Sequence, residues 1–153
     1  MLVQLNGVSK AFGSQAVLRD VSFQINPSEK IGLIGTNGSG KTTFIKCLLG
    51  MVVPDNGFIT FDKHNIRHDW QYRSRIGYMS QKFAIYDDLT VLENLTFYGG
   101  VYGIRDKARI KRTLEQVGLT GHDSTLTRSL SAGWRQRLAL GIALVHEPKL
   151  LFL

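Results

Sequence analysis

One segment of this 153-residue sequence, Gly35 to Thr42, has the residue types and spacing needed to hold a phosphate group. It reads GTNGSGKT and occupies every fixed position of the pattern G-x-x-x-x-G-K-[ST]. Gly35, Gly38 and Gly40 allow the backbone to curl until successive N–H groups face an anion. Lys41 can reach the β- and γ-phosphates of a nucleotide, and the Thr42 hydroxyl can ligate Mg²⁺. The segment therefore predicts nucleotide binding, without indicating which nucleotide.

The elements that would position this loop are predicted from the pattern of apolar residues. Apolar runs separated by turn residues predict strands over residues 2–12, 16–25 and 30–35, and the last of these leads directly into the loop. The spacing of the following apolar residues predicts a helix that begins near Lys41 and stops at Gly50. The positive N-terminal end of this helix would face the same phosphates.

Strand signals continue after this helix and return at the end of the chain. The segment PDNG at residues 54–57 predicts a turn, and FITF at residues 58–61 predicts a short strand after it. RIGYMSQ at residues 75–81 predicts a strand that runs into a loop. The last four residues, LLFL, predict a buried strand.

A helical block is predicted between the last two of these strands. Thr90 and Glu93 form the sequence signature of a capping box, in which each side chain binds the other residue's backbone N–H. A second helix is predicted between Asp106 and Gly118, and a third over residues 131–146. The order of elements predicts one α/β domain with a helical insertion.

Composition limits the class of protein. Apolar residues make up 43% of the chain and charged residues 20%, as in an ordinary globular domain. No apolar stretch is long enough to cross a bilayer, and the N-terminus lacks the features of a signal peptide. The single cysteine, Cys47, suits a reducing compartment, so a cytoplasmic location is expected. The net charge of +7 includes a basic stretch, residues 105–112, which reads as a solvated helix face; nucleic acid is not an expected partner.

A family resemblance rests on four segments taken together. LSAGWRQRLALGIAL, which begins at Leu130, occurs with GYMSQ, VSKAFG and the phosphate loop in an order and spacing that resemble the ATPase domain of ATP-binding cassette (ABC) transporters. The resemblance covers residues 2–153. It implies an α/β P-loop NTPase core with an N-terminal antiparallel β segment and a helical subdomain at about residues 88–138, forming one ATP-binding domain over residues 1–153.

The resemblance also implies ATP and Mg²⁺ as cofactors and assigns roles to individual residues. Phe12 falls where the family places an aromatic side chain that stacks on adenine. Gln81 matches the glutamine that contacts Mg²⁺ or the attacking water, and Thr42 would ligate the same ion. Lys41 is the predicted catalytic lysine. The residues expected to bind the nucleotide are Phe12, Gly35, Asn37, Gly38, Ser39, Gly40, Lys41, Thr42 and Thr43.

The segment that begins at Leu130 matches the family's signature sequence, which completes the site of an opposite subunit. Ser131, Ala132 and Gly133 would contact the γ-phosphate of ATP held by the partner domain. A serine hydroxyl, exposed glycine backbone and a helix N-terminus suit an anion. The segment departs from the usual Leu-Ser-Gly-Gly-Gln at Ala132 and Trp134.

The resemblance gives the terminal LLFL a specific meaning. In the family this is the apolar half of the Walker B strand, and the next two residues would be Asp, which supports Mg²⁺, and Glu, which acts as the general base. The sequence is therefore expected to be an N-terminal portion of such a domain, with the C-terminal part of the core missing. Without a positioned base, about 10²–10⁴-fold of catalysis would be lost.

Three functions remain open from the sequence. The leading one is the ATP-binding subunit of an ABC transporter, which couples ATP binding and hydrolysis to transport through separate transmembrane permease subunits. It would dimerise with an identical or different ATPase domain and lie on the inner face of the cell membrane. One alternative is an ABC ATPase that acts on ribosomes or nucleic acid. The other is a nucleotide-binding fragment without turnover.

Overall fold

The computed structural model describes residues 1–68, 71–79 and 85–153. Within them the chain divides into two compact units, Met1–Arg73 and Ser74–Leu153. The helices and strands are, in chain order, β1 (Val3–Phe12), β2 (Gln15–Ile25), α1 (Lys41–Leu48), β3 (Asn56–Phe61), β4 (His64–Asn65), β5 (Ile76–Tyr78), α2 (Val91–Val101), α3 (Lys107–Gln116), α4 (Ala132–Leu144) and β6 (Leu150–Phe152). Short 3₁₀ turns occur at Ile66–His68, Tyr72–Arg75 and Thr127–Ser129.

The first unit is built on an antiparallel sheet in the order β2-β1-β3-β4. β1 is central because it pairs with β2 on one side and β3 on the other, so that Val3 lies between Ile25 and Phe61. Its alternating apolar residues Val3 and Leu5 are at most 2% exposed, as expected for a strand with one buried face. The predicted strands at residues 2–12, 16–25 and 58–61 are therefore confirmed.

Helix α1 contributes the other half of this unit's core. Cys47 and Leu48, in its last turn, are at most 1% exposed. The Tyr72 hydroxyl donates a hydrogen bond to the Leu48 carbonyl, and the Tyr72 ring meets the edge of Phe61 at a centroid distance of 5.1 Å. The helix stops where the sequence predicts, because Gly50 adopts φ +64° in the following turn.

The predicted strand at residues 30–35 is wrong. These residues lie in neither sheet, and the Ile34 side chain is 95% exposed. A strand requires a neighbour that supplies hydrogen bonds along its length, and neither the β2-β1-β3-β4 sheet nor the β5-β6 pair includes this segment. The apolar pattern indicates that these residues suit burial but does not identify the neighbouring strand.

The second unit combines a short parallel sheet with three packed helices. β5 and β6 pair in parallel, with Ile76 opposite Leu150. Gly77 makes this arrangement possible, because a Cβ atom there would lie 2.3 Å from the Ala143 carbonyl oxygen of α4. The helices enclose a cluster of buried apolar side chains: Val91, Leu95, Ile110, Leu114, Val117, Leu119, Leu130, Leu138 and Val145.

The predicted starts of these helices are confirmed by their caps. The Thr90 hydroxyl accepts from the Glu93 N–H at 3.2 Å, and a Glu93 carboxylate oxygen accepts from the Thr90 N–H at 2.8 Å. Asp106 caps α3 through the Ala108 N–H. The predicted strand at residues 75–81 is observed at Ile76–Tyr78, and its end lies outside the described residues.

Candidate phosphate-binding site

The loop between residues 35 and 40 has the curled backbone that its glycines predict. Gly38 and Gly40 adopt φ values of +84° and +91°, a region that residues with a Cβ atom rarely occupy. Gly40 is also the residue immediately before α1, where its left-handed conformation turns the chain into the helix. The loop therefore depends on glycine at these two positions.

A side chain at either end of the loop would also press on a neighbouring group. A Cβ atom on Gly35 would lie 2.6 Å from the Ser39 hydroxyl, and one on Gly40 would lie 3.0 Å from the Val17 carbonyl oxygen of β2. The loop is thus packed against itself at one end and against the β1–β2 hairpin at the other. Asn37 and Ser39 are exposed between these ends.

The Lys41 side chain folds back over the loop. Its ammonium donates to the carbonyl oxygens of Gly35 and Thr36, both at 2.7 Å, and lies 3.5 Å from the Ser39 hydroxyl. These acceptors are neutral, and no carboxylate pairs with Lys41 among the described residues. A phosphate would therefore offer this charge a stronger, charge-assisted partner than the carbonyl groups do.

The N-terminus of α1 is also suited to an anion. No side chain caps the helix, and its first turn contains no acidic residue that would repel a phosphate. The backbone N–H groups at this end carry a partial positive charge that can be satisfied by a ligand. Thr42 is exposed and Thr43 half-buried in the same turn, so the Thr42 hydroxyl can be reached from solvent.

Phe12 lies at the same end of the first unit as the loop. It pairs with Gln15 across the tip of the β1–β2 hairpin, and Val17, the residue in contact with Gly40, follows two positions later. The Phe12 side chain is 53% exposed, and the Lys10 ammonium lies 5.5 Å from its ring centroid. The structure therefore places an exposed aromatic ring on the same hairpin as Val17, whose carbonyl oxygen faces Gly40 of the phosphate loop.

These donors fit a nucleoside triphosphate. Backbone N–H groups, the Lys41 ammonium and the α1 terminus match a polyphosphate, and Phe12 offers a flat apolar surface to a base. Thr42 supplies the type of hard oxygen ligand that Mg²⁺ accepts. The second predicted ligand, Gln81, lies outside the described residues, within which no three His, Cys, Asp or Glu side chains cluster as a metal site.

The three signature residues lie in the second unit at the start of α4. Ser131 is the N-cap, and its hydroxyl accepts from the Trp134 N–H at 3.5 Å. Ala132 is the first residue of the helix and has no positive φ, so its methyl group is compatible with this backbone. All three residues are exposed, and a Cβ atom on Gly133 would meet nothing within 4 Å.

The side chains after the signature residues fix this end of α4. Arg135 binds the Asp87 carboxylate at 2.7 Å and donates to the Thr127 carbonyl oxygen at 3.2 Å. The Arg137 guanidinium lies over the Trp134 ring, with its Cζ atom 5.1 Å from the ring centroid. Trp134, which departs from the usual signature, thus has a packing role within the unit.

Asp55 contacts the strand that carries Phe12, and the sequence did not reveal this contact. It appears in PDNG only as a turn residue, yet its carboxylate contacts the two residues that precede Phe12. Lys10 and Asp55 are separated by 45 positions, and neither residue type indicates the pairing. Only the register of β1 and β3 could have predicted it.

A glycine-rich loop at the N-terminus of a helix, with a lysine folded over it, defines a P-loop nucleotide-binding domain. A family model described as ABC transporter matches residues 18–153. The chain therefore belongs to the ABC transporter family.

Individual relatives agree with this assignment. The probable multidrug ABC transporter ATP-binding protein YbhF of Escherichia coli K12 is 39% identical over 156 residues, covering 99% of this chain and 27% of that protein. The linearmycin resistance ATP-binding protein LnrL of Bacillus subtilis 168 is 35% identical, covering 99% and 50%. A solved structure of the ATP-binding subunit of an ABC transporter is 29% identical, with a TM-score of 0.84 over 99% of this chain and 65% of that one. The chain spans half the length or less of these two curated relatives.

Proposed function

We propose that this chain is the nucleotide-binding part of the ATP-binding subunit of an ABC transporter. In the whole protein, ATP binding and hydrolysis would drive transport through separate transmembrane permease subunits. The observation that carries the proposal is the Lys41 ammonium, held over a glycine loop by neutral carbonyl groups at the open end of α1. Membership of the ABC transporter family supports ATP as the nucleotide.

The residues of the first unit account for binding. An arriving phosphate chain takes the Lys41 ammonium from the carbonyl oxygens of Gly35 and Thr36 and accepts from the N–H groups of the loop. Phe12 stacks on the adenine, an interaction worth about 1–3 kcal/mol. Thr42 and Gln81 would hold Mg²⁺, which would neutralise negative charge on the phosphates.

The partners follow from the same proposal. Ser131, Ala132 and Gly133 are exposed at the N-terminus of α4, which suits a contact with ATP held by a second ATPase domain. No helix among the described residues is long and apolar enough to cross a membrane. We assign the membrane path to permease subunits and place this subunit at the inner face of the cell membrane, in the cytoplasm.

Substitution of Lys41 tests nucleotide binding directly. Lys41→Ala removes a charge-assisted contact with phosphate, worth about 1.5–3 kcal/mol, so the Kd for MgATP should rise about 10- to 150-fold. Lys46→Ala is the matched control, because Lys46 is exposed in the last turn of the same helix. Both variants and the wild-type chain are titrated with MgATP by calorimetry. Equal affinities for Lys41→Ala and the wild type would contradict the proposal.

A further inference from the structure

The end of β1 is held by a side chain where its neighbouring strand is absent. β1 pairs with β3 only as far as Ser9, which lies opposite Asn56. Beyond Ser9, the Asp55 carboxylate takes the place of the missing strand, because one oxygen accepts from the Ala11 N–H at 2.8 Å. The other oxygen accepts from the Lys10 ammonium at 2.6 Å.

The position of Asp55 is itself fixed by the backbone. Its N–H donates to the Ser9 carbonyl oxygen at 2.9 Å, immediately before the paired part of β3 begins. The carboxylate therefore reaches the hairpin tip from an anchored residue. Hydrogen bonds from Lys10, and then from the Ala11 N–H, lower the pKa of Asp55 below its ordinary value, so the carboxylate is ionised near neutral pH.

These contacts constrain the backbone and the lysine next to Phe12. Asp55 binds both residues that precede Phe12, and Lys10, which it holds, lies 5.5 Å from the centroid of the Phe12 ring. Phe12 is 53% exposed, so a base can reach its side chain. The Asp55 carboxylate of this ion pair is exposed although the Lys10 side chain is mostly covered, and a pair open to solvent on one side adds modest stability, so we attribute to the contact the geometry that it imposes on the hairpin tip.

We propose that Asp55 is a positioning residue for the adenine platform, holding the backbone and the lysine beside Phe12 so that the ring meets the base in one orientation. This inference rests on the proposed function, because it requires that Phe12 stacks on adenine. It assigns to Asp55 a share of the affinity for the base and none of the affinity for the phosphates.

The test separates recognition of the base from recognition of the phosphates. Kd values for MgATP and for inorganic tripolyphosphate are measured for the wild-type chain and for Asp55→Ala, Phe12→Ala and Asp20→Ala. Asp20→Ala is the matched control, since Asp20 lies on the same hairpin and its carboxylate makes no ion pair among the described residues. Phe12→Ala should weaken ATP binding about tenfold and Asp55→Ala about three- to tenfold.

Tripolyphosphate distinguishes positioning from general destabilisation. Binding of tripolyphosphate by Asp55→Ala should stay within about twofold of the wild type, because the loop and Lys41 are unchanged. Equal loss for both ligands, or loss for neither, would overturn the inference while leaving the nucleotide site intact. If Phe12→Ala leaves the ratio of the Kd for MgATP to the Kd for tripolyphosphate unchanged, adenine stacking is wrong and the inference fails with it. Failure of nucleotide binding as a whole is reported separately by Lys41→Ala.

Discussion

Gly40 combines two requirements that alanine cannot meet together. Its φ of +91° lies in a region that is costly for residues with a Cβ atom, and a Cβ atom there would lie 3.0 Å from the Val17 carbonyl oxygen. Gly38 shares the first requirement, with φ +84°, but has open space where a Cβ atom would be placed. Substitution of Gly38 would therefore test conformational strain alone, whereas substitution of Gly40 would test strain together with a steric clash.

Gly40→Ala should reduce stability and nucleotide affinity more than Gly38→Ala. Both variants incur about 1–2 kcal/mol for a positive φ, and only Gly40→Ala must also move the loop away from β2. Thermal unfolding and MgATP titration of the two variants measure the difference. Equal losses would mean that the contact with Val17 does not constrain the loop.

Among the elements, helix α2 is held in place by contacts at its first turn. Thr90 and Glu93 form the reciprocal capping box, and the buried Asn94 side chain binds the chain before the helix. Its amide accepts from the Tyr86 N–H and donates to the Tyr86 carbonyl oxygen, both at 2.9 Å, and to the Thr127 hydroxyl at 2.9 Å. The start of α2 is therefore tied to two other segments of the second unit.

Thr90→Ala should lower the free energy of unfolding by about 1 kcal/mol, because it removes the acceptor for the Glu93 N–H. Thr96→Ala makes the same chemical change at an exposed position inside α2 and should have a much smaller effect. Chemical denaturation followed by circular dichroism provides the comparison. Similar losses in both variants would show that the cap is not the source of the stability.

Elements with local determinants were predictable from sequence, and those with distant ones were not. The capping box needs residues three positions apart, so Thr90 and Glu93 identify the start of α2 directly. The phosphate loop is similarly local. The segment at residues 30–35 depends on a neighbouring strand, and the contact of Asp55 with Lys10 spans 45 positions, so neither outcome could be derived from the local pattern.

At the scale of the whole molecule, titratable groups in both units make stability depend on pH. In the second unit, burial is the main cause that lowers the pKa of His146 below 6.5. The hydrogen bond to the Ile76 carbonyl raises this pKa, and the positive charge of Arg109 lowers it. The His146 ring stacks on Tyr102 at 3.9 Å, and its Nε2 lies 2.9 Å from the Ile76 carbonyl oxygen. Its Nδ1 is buried without a hydrogen-bond partner among the described residues.

The shifted pKa values define two windows of acid sensitivity. The folded state keeps His146 neutral, whereas the unfolded chain takes up a proton near pH 6.5. The contribution of His146 to the free energy of unfolding is therefore fully present above pH 6.5 and is lost as the pH falls through the lowered pKa. Asp55 and Glu93 also have lowered pKa values, through hydrogen bonds from Lys10 and from the Thr90 N–H. Their contributions are present at neutral pH and are lost only below their ordinary values of 3.8 and 4.5.

His146→Gln should therefore remove the loss of stability that the wild type shows as the pH falls below 6.5. The glutamine amide can still donate to the Ile76 carbonyl oxygen but cannot take up a proton near pH 6. Thermal midpoints are measured between pH 7.5 and 5 for the wild type, His146→Gln and the control His64→Gln, which alters an exposed histidine of β4. The wild type and the control should lose stability over this range, whereas His146→Gln should not. The same slope in all three proteins would assign the acid sensitivity to a group other than His146.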